Sequence, residues 1–393
     1  MTTVCNLSAQ IEQRLLARDP VIEAFFAKEA APLSIACREM SERFLRGGRL
    51  LAFGRGPYAT DAQHVSVEFV HPVIVGKRAL PALDLSLCFR PWLEALLQPD
   101  DMVMGFAPVD GDSEIDASLE LARARKAMTF ALPGAQGSYT MKPCTDDPFL
   151  HQEIVEILYH TLWETVHVFF EHRELGHDVG EAEFLYPFLG REKQETSGVL
   201  AQVAESIRMK ATDDTRLRAQ VVRTEIERIS AAVLAIQERL SAGGKLIIFG
   251  NGGSATDAND FAIDCVAPPA GYLSVPAISL ASEPANITAI ANDVGNDLIF
   301  LRQLVAHAKP QDVVVAISTS GGSRNLIAAL GEAKKMGLLC VALLGYDGGE
   351  IKRKDLAEFP IVVEADYIPR IQEVQASIYH TMRETLETVR QRG

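Results

Sequence analysis

The sequence contains its own relative. The segment LLAFGRGPYATDAQHVSVEFV, starting at Leu50, aligns with LIIFGNGGSATDANDFAIDCV, starting at Leu246. The shared letters include Phe53/Phe249, Gly54/Gly250, Gly56/Gly252 and the run ATDA. A second match closes each half: LYHTLWETV from Leu158 against IYHTMRETL from Ile378, with HQE (151–153) against IQE (371–373). The first match has an offset of 196 (249 − 53) and the last an offset of 220 (380 − 160), so the second half carries 24 more residues between these anchors. Two ordered matches at the two ends of a half imply one fold used twice. Any architecture for this chain must therefore be buildable from either half.

Both halves follow the same plan. Amphipathic helical sequence comes first, IEQRLLARDPVIEAFFAKEAAPLSIACREMSERFL in one and TRLRAQVVRTEIERISAAVLAIQERL in the other, with apolar residues at three-to-four spacing. A glycine pair follows (Gly47-Gly48, Gly243-Gly244) and suits a helix stop. A short apolar run, RLLAF or KLIIF, reads as a buried strand and leads through a glycine turn into a helix. Further strands are expected at VPAISL, DVVVAIS and LCVALLG, separated by helical stretches. Alternating strands and helices predict an α/β fold, a parallel sheet covered on both faces. The polar segment REKQETSGVL (191–200) places the boundary between a first domain at 1–192 and a second at 193–393.

At 393 residues the chain accommodates two such domains. Its net charge of −14 argues against nucleic acid or anionic membrane as partner, since phosphate backbones need a basic face. The six cysteines have no metal-ligand spacing and read as reduced, mostly structural thiols. With neither a signal-like N-terminus nor a long apolar run, the cytoplasm is the expected compartment.

Two turns in the second half are built to hold an anion. FGNGGSATDA carries strand KLIIF into a helix, with glycines that let backbone approach a ligand and the hydroxyl of Ser254. Strand DVVVAI runs into STSGGSRNLIAAL, where Ser318, Thr319, Ser320 and Ser323 surround two glycines. Helix N-termini add free N–H groups and a favourable dipole. One glycine-rich turn is often only a tight turn, but two in one parallel sheet converge at its carboxyl edge, where open sheets bind ligands. Neither is a P-loop, because no Gly-Lys-Ser/Thr follows.

GNGGSATDA, AISTSGGS, ANDVGND, LLGYDGG and RIQEVQASIYH together resemble the phosphoheptose isomerase branch of the sugar isomerase (SIS) domain superfamily, over almost all of 243–390. The resemblance implies two tandem flavodoxin-like three-layer α/β/α domains. It implies that Asn251, Gly252, Gly253, Ser254, Ser318, Thr319, Ser320 and Ser323 hold a sugar phosphate, and that Asn292 and Asp293 contact the sugar chain. On sequence alone Asn292-Asp293 reads more readily as an ordinary turn.

The same resemblance implies a His and a Glu four apart on the helix after the first turn, and a Gln and a His eight apart on the last helix. Both spacings keep a pair on one helical face, and together they can ligate a divalent metal, usually zinc. In the second half these positions are Asp260, Asp264, Gln372 and His380, so two of the four differ. In the first half they are His64, Glu68, Gln152 and His160, all four as in the family. Glu156, midway between Gln152 and His160, is a further candidate ligand. Yet there the phosphate turn has become Arg55-Gly56-Pro57-Tyr58, the hydroxyl turn has become Ala107-Pro108-Val109, and Asp110, Asp112 and Glu114 make it acidic. A lone His or Glu is more often a packed or solvated residue than a ligand, and the quartet could be ancestral. His71, His151, His167, His172 and His177 have no motif and are expected at the surface. GEAEFLYPFLG (180–190) reads as a packing segment.

The leading expectation is a phosphosugar isomerase acting on a sedoheptulose 7-phosphate-type ligand, with Asp264, His380, Glu68 and His160 as catalytic candidates and Gln372 at the sugar. Zinc or another divalent ion would sit at His64, Glu68, Gln152 and His160. The resemblance implies a homodimer forming a pseudo-tetramer of domains. The rival is a non-catalytic phosphosugar-binding regulator or scaffold; a third reading makes the first half a structural lid.

Overall fold

The structure, a computed structural model, describes residues 2–73, 77–174 and 196–390. The expected boundary at 192/193, the segment 180–190, and the side chains of Cys5, His172 and His177 lie outside the described residues. Two compact units are present: Asp19–Asp213, and Asp214–Gly393 together with Met1–Arg18.

The first unit contains α2 (Asp19–Leu45), β1 (Leu50–Gly54), α3 (Tyr58–Val70), β2 (Ala82–Asp84), α4 (Phe89–Leu96), β3 (Met102–Phe106), α5 (Ser113–Ala124), β4 (Met128–Leu132), β5 (Tyr139–Thr140) and α6 (Pro148–Glu174). It is completed by the opening part of the long helix α7 (Thr196–Ser241), whose Val199, Val203, Ile207 and Ala211 enter its core and whose Lys210 pairs with buried Glu164.

The second unit begins with α1 (Thr2–Ala17) and takes up the rest of α7. It continues through β6 (Leu246–Gly250), α8 (Gly253–Val266), β7 (Ala277–Ser279), α9 (Pro284–Asp293), a 3₁₀ turn (Asn296–Leu298), α10 (Ile299–His307), β8 (Val313–Ser318), α11 (Arg324–Lys335), β9 (Leu339–Gly345), α12 (Gly349–Arg353), β10 (Phe359–Val363) and α13 (Ile368–Arg390). Helix α1 is fixed to α13 by Arg14, which donates to Thr385 and Thr388, and by the Arg18–Glu384 ion pair.

Each unit has one five-stranded, wholly parallel sheet. The orders are β2-β1-β3-β4-β5 and β7-β6-β8-β9-β10, the same doubly wound pattern. The alternation of side chains across a strand explains the layers. In β6 and β8, Leu246, Ile248, Val313, Val315 and Ile317 face α1, α7, α8 and α13. Ile247, Phe249, Val314 and Ala316 face α10, α11 and α12. Strands buried on both faces read as unbroken apolar runs, which is why RLLAF and KLIIF carry no polar residue past their first position.

Strand registers locate the extra residues of the second half. Between β2 and β3 the offset rises from 195 (277 − 82) to 211 (313 − 102). That insertion forms α9, the 3₁₀ turn and α10, where the first unit has only α4. Among the described residues, no helix is long and apolar enough to cross a membrane.

Candidate active site and its altered copy

In the second unit the sheet order reverses between β6 and β8, so the connections leaving these strands open a crevice at their carboxyl ends. The two glycine turns form its walls. Gly252 enters α8 with φ of 58°, and Gly321 has φ of 59°. A Cβ on Gly321 would lie 2.2 Å from the carbonyl oxygen of Gly348, so this loop presses backbone to backbone on the turn after β9. Ser318 Oγ accepts from Gly321 N at 3.1 Å and Ser320 Oγ from Gly322 N at 3.2 Å, which orders the loop. The two walls are joined: Asn251 Nδ2 donates to Asn325 Oδ1 at 3.0 Å, and Asn325 Nδ2 donates back at 2.9 Å. Neither Gly252 nor Ser323 caps its helix through a side chain. Leu326 N bonds Asn325 Oδ1 and Ala255 N bonds Gly252 O, and the amides ahead of them, at Gly253, Ser254, Arg324 and Asn325, remain available to an anion.

Asn292 and Asp293 are exposed at the end of α9, with Asn292 Nδ2 donating to Asp293 Oδ1 at 2.8 Å. The following turn reaches the second wall through Asp297, 3.5 Å from Arg324.

Beneath the cradle, α8 and α13 bring Asp260, Asp264 and His380 together, all buried. His380 Nε2 lies 3.2 Å from Asp264 Oδ2 and 3.4 Å from Asp260 Oδ2. The phenol of Tyr379 donates to Asp260 at 2.9 Å. Burial, and then the charge of Asp260, push the Asp264 carboxyl up to about 7, against the opposing pull of His380. Gln372 is buried two turns earlier on α13. Tyr379 is a contact that sequence reasoning missed, although it belongs to the repeated YHT anchor.

The first unit keeps the lower cluster and closes the upper one. His64 on α3 meets His160 on α6 with Nε2 atoms 3.4 Å apart. Glu156 completes a group of three possible metal donors, whereas Glu68 stays 3.8 Å from His64 Nε2 and Gln152 is buried alongside on α6. Of the expected quartet, His64 and His160 are brought together, and Glu156, not Glu68 or Gln152, joins them in the three-donor group. At the edge of the sheet, Asp112 caps α5 by accepting from Glu114 N at 2.8 Å and Ile115 N at 3.1 Å. Arg55 bonds Glu114 at 2.9 Å and lies 3.5 Å from Asp112. The protein's own carboxylate occupies the helix terminus that an external anion would need.

His151 and His167, expected at the surface, are core residues. His151 Nε2 donates to the Ala107 carbonyl at 3.2 Å, and burial pushes its pKa down to about 4. His167 places its two nitrogens 2.9 and 3.0 Å from the carbonyls of Trp163 and Arg78. Only His71 of the described members of that set is exposed.

Residues 212–345 match the SIS domain model. A phosphoheptose isomerase of Citrifermentans bemidjiense is 44% identical over 160 residues, 40% of this chain and 82% of the relative. The chain belongs to the SIS-domain family. A phosphoheptose isomerase of Leptospira biflexa is 38% identical over 187 residues, 46% of this chain and 93% of the relative. Two solved structures extend the SIS fold across both units. The C-terminal domain of a Francisella tularensis glucosamine-fructose-6-phosphate aminotransferase has a TM-score of 0.62 at 9% identity, covering 97% of this chain and 95% of that one. A putative phosphosugar isomerase from Silicibacter pomeroyi has a TM-score of 0.56 at 13% identity, covering 98% of each chain. At such identities the likeness concerns the fold alone.

Proposed function

We propose that the second SIS unit binds a sugar phosphate and interconverts its ketose and aldose forms. The observation that carries this reading is the stacking of an uncapped, hydroxyl-lined cradle above the Asp264–His380 pair. The phosphate would sit against the first turns of α8 and α11, held by Asn251, Gly252, Gly253, Ser254, Ser318, Thr319, Ser320 and Ser323. Ser254 and Asp264 are ten residues apart on α8, about 15 Å along the axis, which leaves room for a sugar chain between them. Asn292, Asp293 and Gln372 would meet its hydroxyls.

Isomerisation moves a proton from one carbon to its neighbour through an enediol. A carboxyl with a pKa about 7 can take that proton and return it, and Asp264 has that property. His380, 3.2 Å away, can carry the compensating proton between the two substrate oxygens. The relatives named as phosphoheptose isomerases support a sedoheptulose 7-phosphate-type substrate.

A divalent ion, most suitably zinc, fits the first unit. Ligand bonds of about 2.0–2.1 Å in a tetrahedral ion place donor atoms about 3.3 Å apart, and the two Nε2 atoms are 3.4 Å apart. His64, His160 and Glu156 would hold it, with Glu68 and Gln152 beside them. It would supply a Lewis-acidic charge and a tie between α3 and α6. We assign Glu68 and His160 to this group, not to catalysis, because the closed cradle above them has no place for phosphate. Three buried thiols, Cys37, Cys265 and Cys340, unpaired in the structure, suit a reducing compartment, and we place the protein in the cytoplasm.

A binding protein without turnover is the second reading. It is favoured by Asp264, one methylene shorter than the family's Glu and 1% exposed. A coupled assay with sedoheptulose 7-phosphate separates the two. Turnover that Asp264→Asn abolishes supports the isomerase, whereas binding without turnover leaves the scaffold.

A further inference from the structure

The link across the crevice occurs in both units at the same two positions, with different chemistry. Gly54 pairs with Phe106 between β1 and β3, and Gly250 pairs with Ile317 between β6 and β8. One residue past the glycine stands Arg55 in the first unit and Asn251 in the second. Eight residues past the other partner stand Glu114 and Asn325. Arg55 bonds Glu114 at 2.9 Å, and Asn251 and Asn325 exchange two bonds at 2.9 and 3.0 Å.

We propose that the residue pair at these two positions decides whether an SIS unit of this chain accepts an anion, and that Asn325 is the positioning half of the open version. Two loops that leave neighbouring strands in a crevice must be held at a fixed separation to grip one phosphate. Reciprocal amides do this without adding charge, because each side chain uses one donor and one acceptor on the other. Asn325 also accepts from Leu326 N at 2.9 Å, which anchors it to the first turn of α11. Its effect on a ligand therefore passes through the placement of Asn251 and of that turn.

The charged version holds the loops equally closely but sets charged side chains at the crevice, Arg55 and Glu114 both being more than half exposed. Arg55 is neutralised by Glu114 and Asp112, and Asp112 takes the α5 amides. Asp110 adds a further negative charge. In the second unit Ser323 stands where Asp112 does, six residues past Ile317 as Asp112 is past Phe106, and makes no cap. The first unit is closed by its own side chains.

This inference rests on the reading of the second unit as a sugar-phosphate site, and two kinds of measurement separate them. The first is calorimetry on the full chain with sedoheptulose 7-phosphate and with inorganic phosphate. Asn325→Ala should weaken binding of the sugar phosphate about tenfold, the loss of one or two neutral hydrogen bonds, and should raise KM with kcat little changed. Asn251→Arg/Asn325→Glu, which transplants the closed pair, should abolish binding while its unfolding midpoint stays near wild type. Wild-type affinity in either variant overturns the proposal and leaves the sugar-phosphate reading intact. The second is a stability cycle without ligand, using Asn251→Ala, Asn325→Ala and the double variant. The two losses should be non-additive; additivity overturns the link even if the wild type binds no phosphate, a result that would remove the sugar-phosphate reading itself.

Discussion

His64 and His160 face each other across α3 and α6 with their Nε2 atoms 3.4 Å apart, a spacing that suits either a shared proton or a shared metal ion. The two cases differ in metal content. Protein purified from zinc-supplemented medium should carry about one zinc per chain, the number a single buried three-donor group can hold. His64→Ala/His160→Ala should lose it, and Glu156→Gln should hold it more weakly. Asp260→Ala/His380→Ala should keep it. Elemental analysis decides the matter: zinc retained by the His64/His160 variant, or never bound by the wild type, leaves these histidines as a hydrogen-bonded core pair.

The anion cradle makes a second prediction. Ser254→Ala and Ser320→Ala should each weaken sugar-phosphate binding about five- to tenfold, the range for one neutral hydrogen bond. Asp112→Ala should leave binding unchanged, since its helix lies in the closed unit. It should cost about 1 kcal/mol of stability through the lost cap. Unchanged affinity in both serine variants would remove the cradle assignment.

Gly321 offers a sharper test of the same loop. Its φ of 59° and the 2.2 Å approach of a Cβ to the Gly348 carbonyl leave no room for alanine. Gly321→Ala should therefore displace the Ser318–Ser323 turn, with a cost of about 1–3 kcal/mol for the strained backbone. Binding should fall more than in Ser320→Ala. A Gly321→Ala protein with wild-type affinity would show that the turn does not grip the ligand.

Much of this architecture was legible because the repeat reports twice on the same positions. The two ATDA and YHT anchors fix α3 against α8 and α6 against α13. The chemistry was legible where it rests on adjacent residues, as in GNGGS and STSGGS. It was obscure where the partner lies far along the chain. Asn325 has no motif of its own, and only the strand registers align it with Glu114. Glu156 was legible from its place midway between Gln152 and His160, but that it joins His64 on another helix is a matter of tertiary packing. His151 and His167 looked like surface residues because a polar ring inside a core is recognisable only by the carbonyl it faces, here Ala107, Trp163 and Arg78. The membership of α1 in the second unit is likewise a matter of tertiary packing, since its amphipathic pattern fits any apolar groove.

Helix α9 has no buried residue, and Val294 beyond it is 49% exposed. We expect a second copy of the chain to cover it in a twofold homodimer. Light scattering at micromolar concentration should give twice the 42.9 kDa chain mass. Ala289→Arg and Val294→Arg should shift it toward the monomer. A wild-type monomer at that concentration rejects the assembly.

The last prediction concerns pH and rests on His151. Its ring is buried in the first unit beside Tyr58, with Nε2 donating to the Ala107 carbonyl. Burial, only partly offset by that bond, lowers its pKa from 6.5 to about 4. Between these values the unfolded chain binds a proton that the folded chain refuses, so stability rises with pH across the window and is level above it. Acidification from about pH 6.5 towards 4 should therefore destabilise the first unit, by up to about 3 kcal/mol for a shift of this size. His151→Gln has no titrating ring and can still donate toward Ala107. It should flatten the pH dependence of the urea midpoint between 4 and 6.5 without changing sugar-phosphate affinity at neutral pH. The transition to follow is that of the first unit, because two units need not unfold together. A variant whose midpoint falls as steeply as wild type over that window would place the acid sensitivity in other groups.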